Sequence, residues 1–243
     1  MRGLAAGEVL SAWESGRGLG RLEQPVAALC AWMPERSPHE VARLPIGDRE
    51  ALLLQLHAAT FGPSLQGTAQ CPACGEAVEF TLAVDLLPSV PEHDSSPGMR
   101  RLEKDGYVLE YRPPDTADLV AVSSAGDASS ARAQLVQRCS RLLACPEGGS
   151  RDELPDGVLA ALDAEIAKRQ PAGDIEVGLS CPDCATAWNT TLDVGSFVWE
   201  EIVAEARRLV FEVDRLARGY GWREADILAM TPARRRTYLE MVD

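Results

Sequence analysis

Two matching cysteine spacings, far apart in the sequence, constrain the fold of this chain more than any other feature. Cys71-Pro72-Ala73-Cys74 and Cys181-Pro182-Asp183-Cys184 repeat one C-P-x-C pattern at an offset of 110 residues. Residues after each pair repeat at the same offset, since Ala77, Thr81 and Leu82 recur as Ala187, Thr191 and Leu192. The chain therefore contains a short internal repeat, and each copy is built around a cysteine pair.

Each copy is predicted to be a β-hairpin with its cysteine pair at the turn. Residues 78–84 follow the first pair with partial alternation, and residues 175–179 precede the second pair with alternation of apolar and polar or small side chains. This period of two is typical of strands. Gly75 comes just after the first pair, where glycine suits a backbone with positive φ. Ala185 holds the same place after the second pair, and a positive φ there would cost the alanine about 1–2 kcal/mol.

Two such turns facing each other supply the ligands of one zinc ion. Tetrahedral Zn²⁺ takes four thiolates at about 2.3 Å, and a closed shell of this kind is structural rather than catalytic. We predict one structural zinc ion per chain, bound by Cys71, Cys74, Cys181 and Cys184. Common two-knuckle sites separate the pairs by about 15–20 residues. Here 106 residues separate Cys74 from Cys181, so the repeat is the basis for pairing them.

The alternative for a C-P-x-C pair is a thioredoxin-like redox centre. Such a centre lies at a helix N-terminus, where the dipole lowers the thiol pKa. A strand pattern follows both pairs here, which favours zinc. The chain has seven cysteines and begins without the basic-then-apolar order of a secretory signal, so a disulfide framework is not expected. Cys30, Cys139 and Cys145 are predicted not to be ligands.

The remaining sequence predicts helices around the two hairpins. We expect an α+β fold with a zinc-ribbon-like β-core of two C-P-x-C hairpins, side by side, flanked by several helices. The predicted segments are an N-terminal helical segment (1–63), two split zinc-ribbon halves (64–87 and 172–196), an inserted region of a hairpin plus helices (88–171) and a C-terminal helical segment (197–243). Within the insertion, a helix is predicted over 128–143. In the N-terminal segment, Asp48 is predicted to cap a helix.

The strongest helical pattern covers residues 198–218. Apolar residues recur there at alternating steps of four and three, which makes one continuous stripe: Ile202, Ala206, Leu209, Val213, Leu216 and Tyr220. Packing on its own domain is favoured over docking on a partner helix. A partner surface at 197–243 requires Trp222, Ile227 and Leu239 to be exposed. The basic triplet Arg234-Arg235-Arg236 is interpreted as a solvated helix start or a local ion-pair partner, in preference to a phosphate contact.

Charge and missing motifs exclude several classes of function. The formal net charge of −13 opposes a general nucleic-acid binder or a protein of anionic membrane surfaces. No apolar run approaches the roughly 20 residues of a membrane span. Phosphate-binding, dinucleotide-binding and hydrolase motifs are absent, and the three histidines are interpreted as ordinary surface or half-buried residues. We expect a cytoplasmic, non-enzymatic protein without a small-molecule substrate.

Several stretches together resemble a known family. They are Leu44-Pro45-Ile46-Gly47-Asp48-Arg49-Glu50, Thr60-Phe61-Gly62, the two C-P-x-C pairs, Phe197-Val198-Trp199-Glu200 and Tyr220-Gly221-Trp222-Arg223-Glu224. In this order they resemble the small baseplate proteins related to the hub assembly chaperones of T-even phages, which are also encoded beside phage-tail-like contractile injection systems. The resemblance is weakest across 88–150. It implies a role in building the baseplate or central hub, without catalysis, and other tail proteins as partners.

A second function remains open from the residues alone. Zinc-ribbon proteins also serve as nucleic-acid-binding or regulatory modules. The net charge of −13 favours the baseplate function, because a phosphate-binding surface would have to overcome it.

Overall fold

The computed structural model describes residues 2–89, 98–150 and 154–242. The helices are α1 (Ala6–Gly16), α2 (Gln24–Trp32), α3 (Pro38–Ala42), α4 (Ile46–Thr60), α5 (Thr116–Val122), α6 (Ala128–Cys139), α7 (Asp156–Arg169), α8 (Val194–Tyr220), α9 (Glu224–Leu228) and α10 (Pro232–Val242). The strands are β1 (Ser64–Gln70), β2 (Ala77–Ala83), β3 (Arg100–Lys104), β4 (Tyr107–Tyr111), β5 (Ser140–Ala144), β6 (Glu176–Ser180) and β7 (Ala187–Thr191). This mixture of helices and strands fits the predicted α+β class.

The chain divides into two compact units. The helical unit comprises Met1–Val41, Leu53–Pro63 and Val194–Asp243, and the sheet unit comprises Ala42–Leu52 and Ser64–Asp193. Within the described residues, the sheet unit holds all seven strands, in two separate hairpins and one three-stranded sheet ordered β3-β4-β5. The predicted segment boundaries are a different division of the chain and stay a prediction.

Helix α8 organises the helical unit. It packs against α1, α2, α9 and α10. Four residues of its apolar stripe, Ile202, Ala206, Leu209 and Leu216, are fully buried in this packing. The other two lie nearer the surface, since Val213 is half-buried and Tyr220 is exposed. The stripe is therefore core, the reading that the sequence favoured. The helix is also longer than predicted, because it begins at Val194 and ends at Tyr220.

The C-terminal segment does not meet the condition for a docking surface. Ile227 is fully buried, and Trp222 and Leu239 are half-buried. Trp222 stacks on Tyr220 at 4.3 Å between ring centroids and meets the edge of Tyr238 at 4.8 Å. Ile227 thus belongs to the core of its own unit, while Trp222 packs on aromatic rings of the same unit nearer its surface.

The middle residue of the basic triplet is an ion-pair partner inside the helical unit. The Arg235 side chain is 2 % exposed, and its Nε donates a 2.7 Å hydrogen bond to Glu212 Oε2. A second donor of the guanidinium contacts the Met230 carbonyl oxygen at 2.7 Å. Arg208 donates to the other oxygen of Glu212 at 2.8 Å. Among the interpretations of the triplet, the local ion pair is therefore the one that describes Arg235.

Replacing Arg235 with methionine is expected to destabilise the protein by about 1.5–3 kcal/mol, the usual contribution of a hydrogen bond to a charged group. Methionine keeps the apolar packing of the side-chain stem but leaves one Glu212 oxygen without its donor. Chemical denaturation measures the change. Arg236→Met is the matched control, because Arg236 is exposed in the same helix. Equal stability of the two variants would contradict a structural ion pair.

His57 differs from the surface or half-buried residue predicted. Its side chain is 1 % exposed, and its ring lies between Phe61 and Phe197, at 5.6 and 5.9 Å between centroids. Neither ring nitrogen has a hydrogen-bond partner among the residues that the structure describes. Burial lowers the pKa of His57, which favours the neutral form of the imidazole. His39 is exposed, and His93 lies outside the described residues.

The three-stranded sheet corrects the helix predicted over 128–143. Helix α6 ends at Cys139, and β5 then pairs antiparallel with β4, for example Leu109 with Leu142. The spacing of the apolar residues in this stretch is compatible with a helix. However, β4 has a second edge whose backbone groups need partners, and β5 supplies them. Leu142 packs with the buried cluster of Tyr107, Leu109 and Val158.

The residues around Asp48 require a second correction. Helix α4 begins at Ile46, whose N–H donates to the Pro114 carbonyl oxygen, so Asp48 lies in the first turn instead of capping it. Its backbone N–H donates to Gln170 Oε1 at 3.0 Å, and its carboxylate accepts from Gln170 Nε2 at 3.2 Å. The side chain of Gln170 thus satisfies the start of the helix. This distant partner could not be read from local sequence.

No helix within the described ranges combines the length and the apolar character needed to cross a membrane.

Candidate metal centre

The two predicted hairpins form with the same register. Gln70 pairs with Ala77 in the β1–β2 hairpin, and Ser180 pairs with Ala187 in the β6–β7 hairpin. The second pairing is the first one displaced by the repeat offset of 110 residues. They are separate two-stranded sheets and do not merge into one. The internal repeat in the sequence is therefore a structural repeat.

Each cysteine pair lies in the same tight turn. Cys71 N–H donates to the Glu76 carbonyl oxygen at 2.8 Å, and Cys181 N–H donates to that of Thr186 at 2.9 Å. Gly75 has a φ of +79° and Ala185 a φ of +59°, so both occupy the left-handed region. The alanine accepts a strain of about 1–2 kcal/mol. Ala185 keeps this conformation despite the strain, so the backbone of the second turn has the same conformation as that of the first.

The turns bring the four sulfur atoms together. All four lie within 4.8 Å of one another. Two contacts between the hairpins are 3.6 Å long: Cys71 Sγ to Cys184 Sγ, and Cys74 Sγ to Cys181 Sγ. Four sulfurs at 2.3 Å from a central zinc ion would stand about 3.8 Å apart, because these are the edges of a tetrahedron. The four cysteines predicted as ligands thus form a group that could hold a metal ion.

The group is half buried and half open to solvent. Cys71 and Cys181 are each 2 % exposed and belong to one apolar cluster with Val78, against which Trp188 packs. Cys74 and Cys184 are exposed. Each hairpin therefore contributes one sulfur to the protein interior and one to the surface.

The two exposed thiols differ in acidity. A side-chain hydrogen bond with Thr186, supported by the Thr186 backbone, lowers the pKa of Cys184 to about 6. At Cys74 a backbone hydrogen bond from Glu76 favours the thiolate, but sharing of protons with Cys184 and Cys181 outweighs it and raises the pKa to about 12. Four close sulfurs therefore do not all lose their protons readily. A metal ion that binds all four would have to displace the remaining protons.

The remaining cysteines stand apart from this group. Cys30 and Cys145 are half-buried, and Cys139 is buried. Burial, together with the nearby charge of Asp118, raises the pKa of Cys139 to about 12. In the described part of the chain, no metal-binding group of histidine, cysteine or carboxylate side chains includes any of these three.

A buried carboxylate, which no motif in the sequence indicated, organises the start of α5. Asp118 is fully buried and accepts hydrogen bonds from Arg112, Arg138 and the Asp115 backbone amide, while Cys139 Sγ lies 3.4 Å away. Burial alone would raise the pKa of Asp118, but the Arg112 and Asp115 hydrogen bonds hold it well below its usual range. Asp115 and Asp118 have the spacing of a capping box, and this spacing is the local sequence signal for the start of α5.

Comparison with family models gives a match over part of the chain. The model of the T4 bacteriophage base plate protein family matches residues 33–144, slightly under half of the chain. The match includes the first cysteine pair and ends before the second. No curated protein and no solved structure matches the chain. Over residues 33–144 the chain therefore matches a phage baseplate protein family, as its sequence resemblance indicated.

Proposed function

We propose that this protein is a non-enzymatic part of the baseplate or hub of a contractile phage tail or phage-tail-like injection system. It acts there as a minor structural component or as an assembly chaperone, with other tail proteins as its partners. The family match over residues 33–144 is the observation that carries this function. Such a protein is made in the cytoplasm and needs no small-molecule substrate.

The metal in this proposal is zinc, bound by Cys71, Cys74, Cys181 and Cys184. Four thiolates are the donor set typical of structural zinc, and contacts of 3.6 Å between the sulfurs fit a tetrahedral shell. All four positions of that shell are taken by protein ligands, so no open position remains for a substrate. Zinc therefore supplies a cross-link and not a reaction.

This cross-link makes the two hairpins the halves of one split zinc ribbon. The halves are residues 64–87 and 172–196, and the insertion 88–171 lies between them in the sequence. Zinc then closes the chain into a loop from the first cysteine pair to the second. The segment matched to the baseplate family ends inside that loop, at residue 144.

Deletion of the gene in its native host is expected to remove complete baseplates from the particles, because a missing hub or baseplate factor stops assembly at that stage. Electron microscopy of purified particles measures this, and wild-type gene supplied in trans is the control. Particles with normal baseplates would contradict the proposal. Mass spectrometry of wild-type particles then separates the roles: a structural component is present at a fixed copy number, and a chaperone is absent.

A binding titration with duplex DNA and RNA at increasing salt distinguishes the nucleic-acid-binding alternative from the baseplate function. A protein with a net charge of −13 is expected to bind neither tightly. Tight binding that weakens steeply with salt would favour the regulatory module instead.

A further inference from the structure

The pairing of the four sulfurs across the hairpins has a chemical use beyond holding a metal. Cys74 is exposed and contacts Cys181, which is buried, at 3.6 Å. Cys184 is exposed and contacts Cys71, which is buried, also at 3.6 Å. Each close pair thus joins a sulfur that solvent reaches with a sulfur that solvent does not reach.

We propose that this group is an oxidation site for two-electron thiol oxidants of the peroxide class, which convert it into two disulfides, Cys74–Cys181 and Cys71–Cys184. This inference rests on the zinc site proposed above. The susceptibility of a cysteine to oxidation follows its thiolate character and its exposure. Cys74 and Cys184 combine both, since zinc holds its ligands as thiolates and these two face solvent.

The reaction proceeds in two steps at each pair. The exposed Cys74 sulfur attacks one oxygen of hydrogen peroxide, the O–O bond breaks, and hydroxide leaves and takes up a proton, which gives a sulfenic acid and water. The buried Cys181 thiolate then attacks that sulfur, the S–S bond forms, the S–O bond breaks, and a second hydroxide leaves as water. With Cys184 and Cys71 reacting likewise, four thiolates lose four electrons to two peroxides, four protons are consumed, and one zinc ion is released.

The geometry favours bonds between the hairpins. A disulfide has an S–S distance of about 2.05 Å. Closing a contact of 3.6 Å to that length needs the two sulfurs to approach by only about 1.5 Å. Because both bonds run from the first hairpin to the second, the oxidised protein keeps the connection that zinc provides.

The test uses the full-length zinc protein. Its zinc content is measured first, and hydrogen peroxide is then added while a zinc-sensitive dye and a thiol reagent follow the reaction. The expected result is release of one zinc ion per chain and loss of four of the seven thiols. Peptide mapping without reduction should then find Cys74 joined to Cys181 and Cys71 joined to Cys184. Addition of a reductant and zinc should restore the starting material.

Two outcomes would overturn the inference. One is a protein that holds its zinc through peroxide treatment, and the other is disulfides confined to single hairpins, Cys71–Cys74 and Cys181–Cys184. Cys30→Ser is the matched control, since this half-buried thiol lies outside the group, and its variant should release zinc as the wild type does. Untreated protein without zinc would instead contradict the zinc site itself, so the two failures are distinguishable.

Discussion

Replacing Cys71 with serine is expected to abolish zinc binding and to lower the Tm by about 10–20 °C. A cross-link that closes a loop of about 100 residues contributes roughly 4.7 kcal/mol, and each kcal/mol shifts the Tm of a chain of this size by about 2–4 °C. Cys71 is 2 % exposed, so a serine there also places an unpaired hydroxyl inside the apolar cluster of Val78 and Trp188. Elemental analysis and thermal unfolding measure the two effects.

Cys30→Ser is the control for this variant, because it removes a half-buried thiol that is not a proposed ligand. It should bind one zinc ion per chain and unfold close to the wild-type temperature. Wild-type protein treated with a strong chelator should reproduce the loss seen for Cys71→Ser. A metal-free wild-type protein with an unchanged Tm would exclude a structural zinc.

Replacing Asp118 with alanine is expected to destabilise the protein by about 3–5 kcal/mol, the cost of breaking a buried ion pair by removing one partner. The carboxylate is fully buried and accepts from Arg112 and Arg138. Its loss removes the acceptor that the two guanidiniums share and leaves the start of α5 without half of its capping box. Chemical denaturation at pH 7 measures the change. Asp163→Ala is the matched control, because the Arg132–Asp163 pair is exposed and such pairs contribute about 0–1 kcal/mol.

The Asp118 contribution also depends on pH. Because the pKa of Asp118 is lower in the folded state than in the unfolded chain, its stabilisation is complete above the unfolded value of about 3.9 and is lost as the pH falls below it. The wild type should therefore lose stability toward acid more steeply than Asp118→Ala. Parallel acid-denaturation curves for the two proteins would contradict the ion pair.

The clustering of the four cysteines was predictable because their signal is local and repeated. Two C-P-x-C turns with strand patterns on both sides specify the same hairpin twice, and the offset identifies the partner. Even the strained Ala185 could be anticipated, since its place in the repeat corresponds to Gly75. The stripe on α8 was predictable for a similar reason, because helical periodicity identifies a buried face whatever covers it.

The parts that escaped prediction depend on contacts distant in the chain. Residues 140–144 have apolar spacing compatible with a helix, and only the free edge of β4 makes them a strand. Asp48 resembles a helix cap until Gln170, 122 residues later, supplies its hydrogen bonds. Phe61, four residues after His57, is a local neighbour, but the burial of His57 also depends on Phe197, which comes from another helix.

The offset between the two cysteine pairs also sets an order of events during synthesis. Cys181 follows Cys71 by 110 residues, and a ribosome adding about 5–20 residues per second needs roughly 5–20 s to cover that distance. With zinc as the proposed ligand, the first pair emerges as an incomplete, two-sulfur site and stays so while the whole insertion is made. Tetrahedral coordination becomes possible only once the second hairpin has left the ribosome. Zinc uptake would then mark a chain that has been translated at least as far as Cys184, and a nascent or truncated copy would lack the cross-link.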